Sequence, residues 1–295
     1  MLAVIRSHAF GRQNRGGWDA NGAVRALQCG KRADVGVAGL AGIPLPRHMA
    51  IHDFSSQRLF VEPGLATGEE IVCEGQQANY LLNVLRLRDG DKLRVFNGRD
   101  GEWEAELRAV RKRDCRLVVG TCVRGQVAGP DVEYLFAPLK HARLDYMVQK
   151  AVEMGVARLR PVITRRTVAE RVNLDRMRAN VIEAAEQCGI LHIAEVCAPV
   201  KLGAALETWD GGRKLVFCDE AAEPGRVIEQ LSGLPTGAPV GVLIGPEGGF
   251  DPAEREALLR QPYTLAVSLG PRIMRADTAA VAALALVNAV HGQGL

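Results

Sequence analysis

Two short apolar runs, each ending in a glycine-proline loop, constrain this chain most. Val240 to Ile244 leads into Gly245-Pro246-Glu247-Gly248-Gly249-Phe250, and Leu265 to Leu269 leads into Gly270-Pro271-Arg272-Ile273-Met274-Arg275. Apolar runs this short and without alternation read as strands buried on both faces, the form found in parallel sheets. A helix start follows each loop, and ligands in open α/β sheets gather at such carboxyl ends of strands. Two adjacent loops of this kind predict one site built from both. Either loop alone is equally well a tight turn, because Gly-Pro and Gly-Gly are common turn dipeptides. Glu247, Arg272 and Arg275 at the strand ends favour a site. A phosphate-binding P-loop would close on Gly-Lys-Ser/Thr, whereas Gly248-Gly249 leads into Phe250-Asp251. A dinucleotide fingerprint would open a βαβ unit with Gly-x-Gly-x-x-Gly, and this loop does not.

From Val132 onward, strands and helices alternate, as in an α/β layer fold. Leu144, Met147, Val148 and Ala151 make one helix face, residues Asn173 to Gln187 a second helix, and Leu215 to Phe217 a further strand. Asp277 or Thr278 is placed to cap a last helix running to about His291. That helix is apolar nearly all round, so it is buried on most sides, either within the chain or against a second copy. Upstream, Arg58–Val61, Lys92–Phe96, Trp103–Ala109 and Arg116–Gly120 read as short strands and Gln76–Leu87 as one helix, a small barrel-like module. Residues Val123 to Pro130 read as the linker. The expected division is 1–52 as an extension, disordered or a mis-assigned start with Met49 as the true one, then 53–125 and 131–295 as two domains.

The chain carries a net charge of +3, so nucleic-acid binding needs local patches. One is Arg108, Arg111, Lys112, Arg113 and Arg116. The other is Arg158, Arg160, Arg165, Arg166, Arg171, Arg176 and Arg178, opposed nearby only by Glu170 and Asp175. Such runs are commonly solvated faces, but arginine over lysine favours two-pronged phosphate contact. No apolar run reaches the ~20 residues of a membrane span. The seven cysteines form no Cys-x-x-Cys pair and no metal-like spacing with the six histidines. They read as reduced thiols of a cytoplasmic protein, mostly core fillers, with no metal site.

The two late loops, continued by Ala276-Asp277-Thr278-Ala279-Ala280, resemble the RsmE-type 16S rRNA uridine-N3 methyltransferases of the SPOUT class. Upstream segments share the resemblance: Ala137-Pro138-Leu139-Lys140, Arg143-Leu144-Asp145, Gln149 to Gly155, Glu186-Gln187-Cys188-Gly189, Arg58-Leu59-Phe60 and Val84 to Asp91. The resemblance covers about residues 57–291. It implies a small N-terminal PUA-like β-barrel domain that binds RNA and a C-terminal α/β SPOUT domain with a trefoil knot. It further implies S-adenosylmethionine as cofactor, 16S rRNA or the 30S subunit as partner, and a homodimer interface near the last helix, without membrane or metal. Ile190, where many members place arginine, and Asn79-Tyr80, where histidine is frequent, depart from the pattern.

By that resemblance the cofactor site falls on Leu243, Gly245, Pro246, Glu247, Gly248, Gly249, Leu269, Gly270, Ile273 and Met274. The glycines let backbone approach adenine and ribose, and Leu243, Leu269, Ile273 and Met274 are candidate apolar walls. The implied acceptor, N3 of a uridine, is a Watson-Crick edge and must be unpaired or flipped before attack. Arg275 and Arg272 are candidates to stabilise the uracil anion, with phosphate binding or loop closure as the other reading for Arg275. Glu247 or Asp277 is a candidate base. RNA contacts are expected at Arg58, Arg86, Arg88, Lys140, Arg143, Arg165 and Arg166. Two alternatives stand: a knotted methyltransferase acting on tRNA or a ribose 2′-hydroxyl, and a noncatalytic RNA-binding assembly factor.

Overall fold

The computed structural model of the chain describes residues 56–108, 111, 114–140, 142–169, 171–223 and 225–291. The expected extension over 1–52, the strand end at Ala109, and Lys112, Arg113 and Glu170 of the basic patches lie outside the described residues.

In the N-terminal part, β1 (Arg58–Phe60), β2 (Glu70–Glu74), β3 (Lys92–Phe96), β4 (Glu102–Arg108) and β5 (Asp114–Arg124) form one sheet in the order β1-β3-β4-β5-β2. Period-2 alternation builds its core, with Leu93 and Val95, Ala105 and Leu107, and Leu117 and Val119 pointing inward. The expected barrel is an open sheet among the described residues, with β1 and β2 at its edges. The short helix α1 (Gly75–Asn79) follows β2, and its Gln77 Nε2 donates to Phe60 O of β1 at 3.2 Å, so it spans the gap. The helix expected over Gln76–Leu87 does not continue as one α-helix. It widens into a π-helical turn at Tyr80–Val84, where Leu85 N donates to Tyr80 O at 2.9 Å, and ends with Arg86 in the left-handed region at φ 57°. The wider turn keeps Leu81 buried while Leu82 and Leu85 pack only partly against the core. The linker starts later than expected because β5 runs on through Val123 and Arg124.

The second part has seven parallel strands: β6 (Val132–Phe136), β7 (Arg158–Ile163), β8 (Glu195–Val196), β9 (Val200–Lys201), β10 (Lys214–Cys218), β11 (Val240–Ile244) and β12 (Thr264–Val267). Their order is β12-β10-β11-β6-β7-β8, with β9 also beside β7. Helices α2 (Ala142–Glu153), α3 (Leu174–Cys188), α4 (Leu202–Glu207), α5 (Val227–Ser232), α6 (Pro252–Leu259) and α7 (Ala276–His291) cover the sheet. β11 is central and wholly buried, as its unbroken apolar run requires. β12 is an edge strand, so Thr264, Leu265 and Ala266 are only half-buried. It stops at Val267, leaving Ser268 and Leu269 in the loop.

Helix α3 takes Asn173 as N-cap, its Oδ1 accepting from Arg176 N at 3.0 Å, and ends at Gly189 with φ 71°. Helix α7 begins at Ala276, so Asp277 and Thr278 sit in its first turn rather than at its cap. Its Ala276, Ala279, Ala280, Ala283, Leu284 and Val287 face the core beside α2, α5 and β11, leaving Ala285 and Ala289 exposed. One face of the helix is thus buried by its own chain, and the uniform apolar composition hid which.

The first sheet meets the end of α3 through Arg58. Its guanidinium lies 4.3 Å above the Phe96 ring and donates to Glu102 Oε1 at 2.6 Å and to Glu186 O at 2.9 Å, with Ala185 O and Ile190 O also accepting. Arg124 Nε reaches the other Glu102 oxygen at 2.7 Å, and Arg124 Nη2 donates to Gly189 O at 2.9 Å. Burial opposes ionisation of Glu102, but the bonds from Arg124 and Arg58 outweigh it and hold its carboxyl below the usual range. Glu102 is therefore buried. Glu186 Oε1 accepts from Phe60 N at 2.8 Å, which gives the Glu186-Gln187-Cys188-Gly189 segment a role in docking the two parts.

Candidate active site

β10 lies between β11 and β12, so the two glycine-proline loops are not neighbours. They flank the segment after β10, so a third loop stands between them at the sheet's carboxyl end. In the middle loop, Asp219 is buried and accepts from Arg255 Nε at 2.9 Å and from Ala221 N at 3.1 Å. Glu220 packs against Gly249, where an added Cβ would fall 2.1 Å from its Oε1. Sequence reasoning missed Asp219, Glu220 and Arg255, because strand order is not written in local pattern. The acidic pair directly after the apolar Leu215-Val216-Phe217-Cys218 run was the available signal.

The first loop folds as a turn in which Gly249 N donates to Pro246 O at 2.9 Å. Asp251 then caps α6 in a reciprocal box with Glu254, and Pro252 takes the first helical turn. The glycines serve different ends. Gly245 makes room for Phe250, since a Cβ there would sit 2.3 Å from the ring, and Phe250 in turn packs edge-on to Phe217 at 5.1 Å. Gly270 adopts φ 113° with open space about it, and a Cβ at Gly248 would make only an ordinary 3.7 Å contact with Arg166. Backbone at Gly248 and Gly270 is therefore free for close approach of a ligand.

One side chain joins the outer loops. Arg143, in the first turn of α2, donates from Nε and Nη2 to the two oxygens of Asp277 at 3.1 Å each. Its Nη1 donates to Glu247. The hydrogen bonds from Arg143 hold the Asp277 carboxyl below the ordinary range, which makes it a weaker proton acceptor than the sequence suggested. Arg143 is thus engaged inside the site. Arg272 and Arg275 are exposed, and among the described residues neither guanidinium has a hydrogen-bond or ion-pair partner.

The remaining expected residues scatter by role. Leu243 is fully buried among Leu135, Phe217 and Phe250, beneath the site rather than open to it. Leu269 and Met274 pack partly against the core, Pro246 is half-buried, and Ile273 is wholly exposed. The Arg58 side chain is 10% exposed, and its donors are engaged by Glu102 and by carbonyls at the end of α3. Arg86, Arg88 and Lys140 are exposed. Arg165 Nη1 pairs with Asp251 at 3.0 Å, and Arg166 Nη1 donates to Gly248 O at 2.8 Å, so the loop after β7 braces the first glycine loop.

Several described arginines of both basic patches pair with acids distant in sequence. Glu133, buried on β6, holds Arg158 and Arg160, Asp145 holds Arg176, and Glu70 holds Arg116 at 2.7 Å. Of the described cysteines, only Cys73 and Cys115 are buried, so core filling accounts for fewer than expected.

A parallel sheet with its glycine loops at the carboxyl end, joined to a small mixed sheet, defines the class to which comparison also leads. The RNA methyltransferase domain matches residues 128–288, and the RNA methyltransferase PUA domain matches residues 74–120. The chain belongs to this RNA methyltransferase family. Its relatives include the ribosomal RNA small subunit methyltransferase E of Rickettsia conorii, 29% identical over 236 residues, 78% of this chain and 94% of the relative. The enzyme of that name from Bacillus subtilis is 28% identical over 252 residues, 79% and 96% of the two chains. The ribosomal RNA small subunit methyltransferase E from Neisseria gonorrhoeae, solved with S-adenosyl methionine, superposes with a TM-score of 0.70 at 25% identity, covering 80% of this chain and 98% of that one. A methyltransferase from Legionella pneumophila bound to SAM gives 0.70 at 26% identity, covering 79% and 97%.

Proposed function

We propose that this chain transfers the methyl group of S-adenosylmethionine to N3 of a uridine in 16S rRNA of the small ribosomal subunit, in the cytoplasm. The observation that carries the reading is the Arg143 bridge, which fixes Glu247 of one glycine loop relative to Asp277 behind the other. Gly248 and Gly270 then present bare backbone at the rim of one site. Backbone around Gly245–Gly249 and Leu269–Met274 would hold the cofactor, which supplies an activated methyl on a sulfonium. The protein need not provide a nucleophile; it orients the acceptor and stabilises its charge, and orientation alone lowers such barriers by several kcal/mol.

Arg272 and Arg275 are the unpaired cations at the entry to α7. Placed beside the uracil oxygens, they stabilise the anion left when the N3 proton departs. Asp277, fixed by Arg143, serves to position that loop. The division at residues 125–131 separates a PUA-like RNA-binding domain over 53–125 from a SPOUT domain over 131–295, whose late loops form the trefoil knot. The exposed small-residue face of α7, Ala285 and Ala289, supports pairing of two copies along this helix.

Purified protein incubated with labelled S-adenosylmethionine and 30S subunits from a strain lacking base methylation tests the reading. Label in 16S rRNA, lost in Arg275→Ala, supports it. Cofactor binding without transfer moves the substrate elsewhere, and absence of cofactor binding removes the enzymatic reading altogether.

A further inference from the structure

The carboxyl end of the sheet carries a second concavity beside the glycine loops. A cleft of about 690 Å³ opens between the segment after β6 and the segment joining β7 to α3. Its floor is apolar and buried, formed by Leu139, Leu144 and Met177. Val168, 76% exposed, stands at its edge. Lys140 and Arg171 also line it, both exposed, and neither side chain has a hydrogen-bond or ion-pair partner among the described residues.

Among the described lining residues the one acid, Asp145, is already neutralised. Asp145 accepts from Arg176 Nη2 at 2.6 Å and Nε at 2.9 Å, and from Asn180 Nδ2 at 2.9 Å. The described lining is therefore net positive, with an apolar, buried floor and cations at its mouth. That combination suits a flat base over an anionic link, and the volume falls within the roughly 300–1,000 Å³ typical of small-ligand sites. Its position agrees. Phe136 on β6 pairs in register with Ile244 on β11, and Ala137 N donates to Ile244 O at 3.1 Å. Arg143 N donates to Lys140 O at 3.3 Å, so a residue lining the cleft adjoins the one that bridges the glycine loops.

We propose that this cleft is a nucleotide subsite for a single strand of RNA. Lys140 and Arg171 take the phosphodiester, and the base lies on Leu139, Leu144 and Met177 beside Val168. The proposal rests on the reading of the chain as an RNA methyltransferase and adds where the strand is held.

The test is fluorescence anisotropy of a short fluorescein-labelled oligouridylate on the full chain over a range of salt, with methyl transfer to 30S subunits measured in parallel. Lys140→Gln with Arg171→Gln is expected to weaken binding about tenfold and to flatten the log–log salt slope by about 0.7, the change for one lost phosphate contact on a single strand. Val168→Asp, at an exposed position, is expected to weaken binding as well. Arg226→Gln with Arg260→Gln removes equal charge from other exposed sites and should leave affinity near that of the wild type. Unchanged affinity and slope in the Lys140/Arg171 pair, an equal loss in the control pair, or no RNA binding by the wild type overturns the subsite. A wild type that binds RNA through the cleft yet transfers no methyl to 30S subunits moves the methylated substrate elsewhere and leaves the subsite standing.

Discussion

Arg143, in the first turn of α2, grips both carboxylate oxygens of Asp277, in the first turn of α7, at 3.1 Å each. With its remaining Nη it also reaches Glu247, so one guanidinium ties together two loops separated by a strand and a helix. Lysine cannot reproduce this fork, because its ammonium is a point charge without fixed planar donors. Arg143→Lys is expected to weaken cofactor binding about tenfold and to slow transfer at least as much, while the fold persists. Calorimetric titration with S-adenosylmethionine and a circular dichroism melt check the two parts.

The same pair has a pH signature. Arg143 depresses the Asp277 pKa in the folded state, so the stability this carboxylate contributes is fully present above its unfolded value of about 3.9. It is lost as pH falls through the lower folded value. Denaturant unfolding of wild type and Asp277→Asn between about pH 6 and pH 3 should show a gap that closes toward acid. A gap that stays constant across the range would contradict the assignment.

Gly245 and Gly270 predict different failures. Gly245→Ala drives a methyl into the Phe250 ring, an overpacking cost of about 1–3 kcal/mol, relieved when Phe250 is shortened to leucine. Gly270→Ala meets no neighbour but must hold φ 113°, a strain of about 1–2 kcal/mol that no second-site truncation relieves. Chemical denaturation of both single variants and of the Gly245→Ala/Phe250→Leu double variant distinguishes clash from strain.

The junction between the sheets depends on a buried charge cluster. Arg58→Met removes one of two cations from Glu102 and is expected to cost about 3–5 kcal/mol, because the carboxylate stays buried with a single partner. Glu102→Gln should cost less in Arg58→Met than in the wild type. A double-mutant cycle by urea unfolding measures that coupling.

What the sequence disclosed follows local chemistry. β11 is legible because a central parallel strand must be apolar on both faces, and α3 because Asn173 and Gly189 mark its ends. The function of the loops was legible through their residue order. Three things were not. Strand order was hidden, so the loop after β10 with Asp219 and Glu220 went unnoticed between two loops taken as adjacent. Distant acids were hidden too: Glu133 lies 25 and 27 residues from the arginines it neutralises, and Arg58 closes on a carboxylate 44 residues away. Finally, Asp277 suits a helix cap by composition, but Arg143 holds it, and α7 begins one residue earlier.

Arg275 is the sharpest residue-level test of the chemistry. It is exposed and unpaired, so Arg275→Ala should leave the melting temperature and cofactor affinity nearly unchanged while transfer falls by about 10²–10³, the scale of losing one charge-stabilising donor. Stopped-time assays with labelled cofactor, alongside a thermal melt, check both halves.

The most direct measurement is nucleoside mass spectrometry of 16S rRNA after incubation of unmethylated 30S subunits with the purified chain and S-adenosylmethionine. The account predicts 3-methyluridine at one position, absent without enzyme and with Arg275→Ala. Methylation only of ribose, or only of tRNA supplied in the same mixture, would contradict it.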